Sequence, residues 1–132
     1  MKKNTILWAD DDADDLQLMR EILMKNHQEF TIIEVGNGKE ALHYLEKSSQ
    51  KDLPCLVILD INMPILDGKE TLTLIRKNEK LDEIPVVIFT TSASEMDKLF
   101  CRKHGTRMIT KPPNYSKLES IVIELLEYCN AQ

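Results

Sequence analysis

Apolar runs of strand length recur along the chain: Ile6 to Ala9, Phe30 to Val35, Cys55 to Leu59, Pro85 to Phe89, and Arg107 to Thr110. The third and fourth, CLVIL and PVVIF, are continuous rather than alternating, as in strands of a parallel sheet buried on both faces. Between the runs the period changes. Leu16, Met19 and Leu23 share one face of a helix, as do Ala41, Leu42 and Leu45, then Leu72 and Ile75, then Leu118, Ile121, Val122, Leu125 and Cys129. Met96, Leu99 and Phe100 mark a less regular helix ending at Gly105, a residue suited to a left-handed cap. Ser116 and Glu119 have capping-box spacing and predict the start of the last helix. Strand then helix, repeated five times, predicts an α/β fold: a doubly wound five-stranded parallel sheet with five helices. No linker, repeat or low-complexity segment interrupts the pattern, so residues 1–132 read as one domain with no separate output domain.

In such sheets ligands gather beyond the carboxyl ends of the strands. The first run ends in Asp10 and Asp11, within WADDDADD. The third ends in Asp60, within LDINMP; the fourth in Thr90, Thr91 and Ser92; the fifth in Lys111, within TKPP. Three acids, a hydroxyl and a lysine are thus expected on one edge. Clustered carboxylates need a counter-cation, and their oxygens suit Mg²⁺. A lysine pairs with an acid or holds an incoming anion, and a threonine hydroxyl donates to it. Such a set describes a site for phosphoryl chemistry, in which a carboxylate can itself accept the group. Asp12, Asp14 and Asp15 are placed to cap the following helix and complement its positive end.

Composition narrows the classes. Apolar residues are 42% and charged residues 30%, a globular balance, and the net charge of −5 disfavours a general nucleic-acid or anionic-membrane surface. Cys55, Cys101 and Cys129 are odd in number and widely spaced, which predicts neither a disulfide framework nor a zinc site, and Cys55 reads as a buried thiol. The segment before the first acids is too short for a signal peptide, and no run reaches transmembrane length. A cytoplasmic protein is expected.

The motifs ILWADDD, LVILDINMPILDG, VVIFTTS and ITKPP, in this order and spacing, resemble those of response-regulator receiver domains, and the resemblance spans essentially the whole chain. It implies the flavodoxin-like strand order 2-1-3-4-5. It implies that Asp60 is the phosphoacceptor, that Asp11 ligates Mg²⁺ directly and Asp10 largely through water, and that Asn62 contributes its backbone carbonyl. Thr90 corresponds to the switch hydroxyl, Lys111 to the phosphate-pairing lysine, and Gly68 to the glycine before the third helix. The Lys111–Pro112 peptide is expected to be cis. The implied partners are a sensor histidine kinase or phosphotransfer protein as donor and a downstream protein as reader. Homodimerisation on phosphorylation is a further possible output. KNEKLDEIPVVIFTTSASEMD also resembles receivers that serve phytochrome-type kinases.

Two positions depart from the family pattern. The aromatic switch position on the fifth strand is Met108, which lacks the bulk and hydroxyl of tyrosine. Beside Thr90 stands Thr91, whose extra methyl is expected to slow phosphoryl gain or loss. Rival readings are weaker. Asp10, Asp12, Asp14 and Glu21 match positions 1, 3, 5 and 12 of a calcium-binding EF-hand loop, but Asp15 stands where glycine must turn the chain. Aspartate-nucleophile phosphatases usually carry an acid where this chain has Asn62. The three histidines lie in or near expected helices, away from the acidic edge, and Trp8 reads as core.

Overall fold

A computed structural model describes residues 4–130. The strands are β1 (Thr5–Ala9), β2 (Thr31–Val35), β3 (Leu56–Leu59), β4 (Val86–Thr90) and β5 (Arg107–Thr110). The helices are α1 (Ala13–Asn26), α2 (Gly38–Lys47), α3 (Gly68–Lys77), α4 (Glu95–Lys103) and α5 (Tyr115–Asn130), with a short 3₁₀ turn at Gln50–Asp52. The strands form one parallel sheet in the order β2-β1-β3-β4-β5. The three inner strands are almost wholly buried, which is why their sequences run without alternation.

Alternate residues of those strands feed two cores. Ile6, Trp8, Ile58, Val87 and Phe89 meet Met19, Ile22 and Leu23 of α1 and Leu118, Val122 and Leu125 of α5. Leu7, Ala9, Val57, Leu59, Val86 and Ile88 meet Ala41 and Leu45 of α2, Leu72 and Ile75 of α3, and Cys101 of α4. Trp8 is core as expected: its ring stands edge-on to Phe89, with centroids 5.5 Å apart.

Several local readings change. The last helix opens at Tyr115, one residue before Ser116; Asn114 caps it, its side chain accepting from the Lys117 N–H at 2.9 Å. In α4 the buried residue is Cys101, while Met96 and Leu99 are exposed. The end of α4 follows expectation. Gly105 sits at φ 63°, the Thr106 N–H reaches the Cys101 carbonyl and the Gly105 N–H reaches that of Arg102. This pair of hydrogen bonds closes the helix, with the left-handed residue just beyond its C-cap His104.

The cysteine expectation is overturned. Cys55, just before β3, and Cys129, in the last turn of α5, form a disulfide with Cα atoms 4.9 Å apart across 74 residues of sequence. Both lie in the α1–α5 core, which brings them together. Cys101 is a buried free thiol in the other core.

Candidate functional site

Parallel pairing fixes the site. The strands point the same way, so all their carboxyl ends reach one edge. The ladder continues one residue past β1 and β3: the Asp10 N–H donates to the Val35 carbonyl and the Asp60 N–H to the Ala9 carbonyl, each at 3.0 Å. The Lys111 N–H likewise donates to the Thr90 carbonyl at 2.8 Å. Asp10, Asp60 and Lys111 are thus the first residues to leave their strands, their backbones still held by a neighbour. The glycine that opens α3 belongs to the same construction: a Cβ on Gly68 would lie 2.2 Å from the Asp60 carbonyl oxygen.

Asp10, Asp11 and Asp60 each present a carboxylate oxygen within 4.8 Å of the others. Asp10 and Asp60 are buried and Asp11 is exposed, so the cluster opens to solvent on one side. The Lys111 ammonium enters from β5. It contacts Asp15 Oδ2 at 2.7 Å, Asp10 Oδ2 at 2.8 Å and Asp60 Oδ2 at 3.1 Å. Asp60 Oδ1 is buried with no hydrogen-bond partner. A buried unpaired carboxylate oxygen is costly. Beside two further acids it is a candidate ligand atom, and an all-oxygen donor set fits a hard divalent cation such as Mg²⁺.

Electrostatics follow from three carboxylates facing one ammonium. Burial raises the Asp10 pKa to about 6, against the lowering effects of Lys111 and of the Asp12 N–H, which donates to Asp10 Oδ1 at 2.9 Å. Burial works against the charge of Lys111 too, but its bonds to Asp10 and Asp15 and the charges of Asp10 and Asp60 outweigh it and hold the ammonium above its usual range. The lysine therefore stays charged.

Thr90 is fully buried at the end of β4, and its hydroxyl accepts from the Ser92 N–H at 3.3 Å. Ser92 in turn donates to Asp97 of α4, which Lys69 of α3 also contacts. The Lys69 and Ser92 hydrogen bonds hold the Asp97 carboxyl below its ordinary pKa. The turn after Thr90 is thereby tied to α3 and α4. Thr91 and Asn62 are exposed beside the cleft, and Met108 is partly buried against the α2–α3–α4 core.

Two expectations fail on geometry. No cis peptide occurs among the described residues, so Lys111–Pro112 is trans. The trans form is favoured by about 0.5–1 kcal/mol before proline, and Lys111 already reaches its carboxylates in that form. The assignment of Asp12, Asp14 and Asp15 to helix capping holds only in part. Asp12 is the N-cap, accepting from the Asp14 and Asp15 N–H groups, and Asp14 stands in the first turn, but the Asp15 side chain turns into the cleft. The calcium-loop rival is also excluded, because Asp14 and Glu21 lie within α1 rather than on a loop able to encircle an ion.

Nothing in the sequence singles out Ile65. It sits at φ 69°, 75% exposed, at the centre of a three-residue turn closed by the Leu66 N–H on the Pro64 carbonyl at 2.7 Å. That conformation is strained for a β-branched residue.

A family model for the response regulator receiver domain matches residues 6–123. The chain belongs to the receiver-domain family of response regulators. This receiver is 32% identical over 121 residues to the response regulator Rcp1 of Synechocystis sp., spanning 89% of its own length and 82% of that protein. It is 38% identical over 95 residues to a probable methanogenesis regulatory protein, FilR2, of Methanothrix harundinacea, covering 70% of the receiver and 61% of FilR2. Among solved structures, the phosphorylated cyanobacterial phytochrome response regulator RcpA superposes with a TM-score of 0.85 at 31% identity, over 96% of this chain and 94% of that one. The Mn²⁺-bound form of Rcp1 superposes at 0.82 with 30% identity, over 94% and 92%. The strand order matches the expected flavodoxin-like one.

Proposed function

We propose that this receiver accepts a phosphoryl group on Asp60, with Mg²⁺ held by Asp10, Asp11, Asp60 and the Asn62 backbone carbonyl. The observation that carries this is Asp60 itself: Oδ2 held by Lys111, Oδ1 buried without a partner, two acids within 4.8 Å. The donor is the phosphohistidine of a sensor histidine kinase or phosphotransfer protein. An Asp60 oxygen forms the new bond to phosphorus as the phosphorus–nitrogen bond breaks, and the electron pair leaves with the imidazole. The carboxylates of Asp10, Asp11 and Asp60 would hold Mg²⁺ there, and it would supply charge neutralisation for the transferring oxygens. Lys111, permanently charged in this cleft, pairs with a phosphoryl oxygen. Thr90 exchanges its Ser92 N–H partner for the phosphoryl group, and the turn tied to Asp97 and Lys69 follows it.

The phosphoryl group adds roughly −1.5 to −2 charges, and the shift it drives equals the difference in its interactions between the two conformations. Likeness to Rcp1 and to the phytochrome response regulator RcpA supports a phytochrome-like kinase as donor, with the phosphorylated state read by a downstream protein or by a second copy. Incubation with acetyl phosphate, followed by intact mass, tests the reading. One Mg²⁺-dependent phosphoryl adduct is expected in the wild type and none in Asp60→Asn. An adduct of equal yield in Asp60→Asn contradicts it. Thr91→Ala should lose the phosphoryl group faster than the wild type; equal dephosphorylation rates would remove the proposed role of the Thr91 methyl.

A further inference from the structure

Asp15 lies outside the Asp10–Asp11–Asp60 cluster, yet it makes the shortest of the three contacts to Lys111, 2.7 Å against 2.8 Å and 3.1 Å. An ammonium has three donors; here Asp15 and Asp60 accept hydrogen bonds from it, and Asp10 Oδ2 lies within ion-pair distance. Two of those carboxylates, Asp10 and Asp60, are the ones a divalent cation must take. Cation and ammonium therefore share the same buried groups: Asp10 Oδ2 lies against the ammonium, and Asp60 offers Oδ2 to it and Oδ1 to the cation. If Lys111 had only Asp10 and Asp60, cation binding would leave a side chain that is 10% exposed sharing both its partners with a second cation. Asp15 changes this. It projects from the first turn of α1, its side chain is 29% exposed, and it has no place in the cation cluster.

We propose that Asp15 is a positioning residue to which Lys111 retreats when a divalent cation enters, so that cation and ammonium occupy one cleft together. Lys111 pivots between two anchors. Without the cation it bridges Asp10, Asp15 and Asp60; with the cation it is held by Asp15 and remains beside Asp60, where the phosphoryl group arrives. The proposal rests on the cation reading of the acidic cluster but requires no phosphoryl transfer.

A double-mutant cycle on Mn²⁺ affinity tests it, read through paramagnetic water-proton relaxation with no phosphodonor present. Losing the Asp15 charge also weakens cation attraction through space, whatever Lys111 does. That part is measured by Asp14→Asn, an exposed neighbour of equal charge, and by the Lys111→Met background. Asp15→Asn should weaken Mn²⁺ binding about tenfold in the wild type, the scale of one charge-assisted hydrogen bond, and less than about twofold in Lys111→Met, matching Asp14→Asn. Asp15→Glu should restore most of the affinity. Equal losses in both backgrounds, or a loss in the wild type no larger than that of Asp14→Asn, would overturn the proposal. Mass spectrometry after acetyl phosphate, run in parallel, separates the two readings. Coupling without an adduct keeps this role and removes Asp60 as acceptor, and an adduct without coupling does the reverse.

Discussion

Asp10 ionises against its surroundings. It is 1% exposed, and burial lifts its pKa from 3.8 to about 6. Because the folded value lies above the unfolded one, the native state binds the extra proton between about pH 4 and 6, and stability falls as pH rises through that window. Asp10→Asn removes the penalty. Without divalent cation it should be more stable than the wild type by roughly 1–2 kcal/mol at pH 8 and no more stable near pH 4, where both carry a neutral side chain. Urea unfolding in a chelator at the two pH values checks this, and a variant less stable at pH 8 would contradict it. Mg²⁺ should then stabilise the wild type at pH 8 and leave the variant nearly unchanged. The residues of the site were legible because each follows an apolar run directly. Asp15 was not, because a carboxylate in a first helical turn satisfies the capping rule so well that nothing in the sequence distinguishes it from Asp14.

At the scale of elements, the site depends on how closely α3 approaches the end of β3. The Gly68 N–H donates to the Ile61 carbonyl at 2.9 Å, and its missing Cβ leaves room for the Asp60 backbone. A methyl there meets backbone that cannot move aside as a side chain would. Gly68→Ala should cost roughly 2–3 kcal/mol in unfolding free energy and lower Mg²⁺ affinity by displacing Asp60; unchanged values of both would contradict this geometry. The elements themselves were readable from periodicity, since the strands came out within a residue of their expected bounds and every expected helical face lies within an observed helix. The exceptions have local causes. Asn114 supplies the cap expected from Ser116 because its side chain reaches the Lys117 N–H first. In α4, Met96 and Leu99 are spaced for a core face, but the helix turns Cys101 inward and leaves them exposed. Apolar spacing alone does not say which face the sheet will cover.

Across the whole molecule the disulfide and the acidic site lie at opposite ends of β3. Cys55 precedes the strand and Asp60 follows it, about 16 Å apart at the rise of an extended chain. The link between Cys55 and Cys129 closes 74 residues of sequence, which in chain-entropy reasoning stabilises the fold by about 4 kcal/mol. Reduction should lower the thermal midpoint by many degrees while leaving Mg²⁺ affinity within about twofold, since one term acts on the unfolded chain and the other on the far edge. Unequal metal affinity in the two redox states would show the ends to be coupled. The pairing was illegible beforehand because it is a product of tertiary packing: the two cysteines meet only once α5 lies across the α1 side of the sheet. The sheet was legible because its repeated strand and helix segments each carry their own pattern.

The central claim, that Asp60 is the acceptor in an edge built from four strands, is tested most directly by reductive trapping. Borohydride converts an aspartyl phosphate to homoserine at the modified residue. After acetyl phosphate and Mg²⁺, peptide sequencing by mass spectrometry should find homoserine at position 60 in the wild type, absent when Mg²⁺ is chelated. Homoserine at another aspartate with Asp60 intact, or the same yield with and without Mg²⁺, would contradict the account.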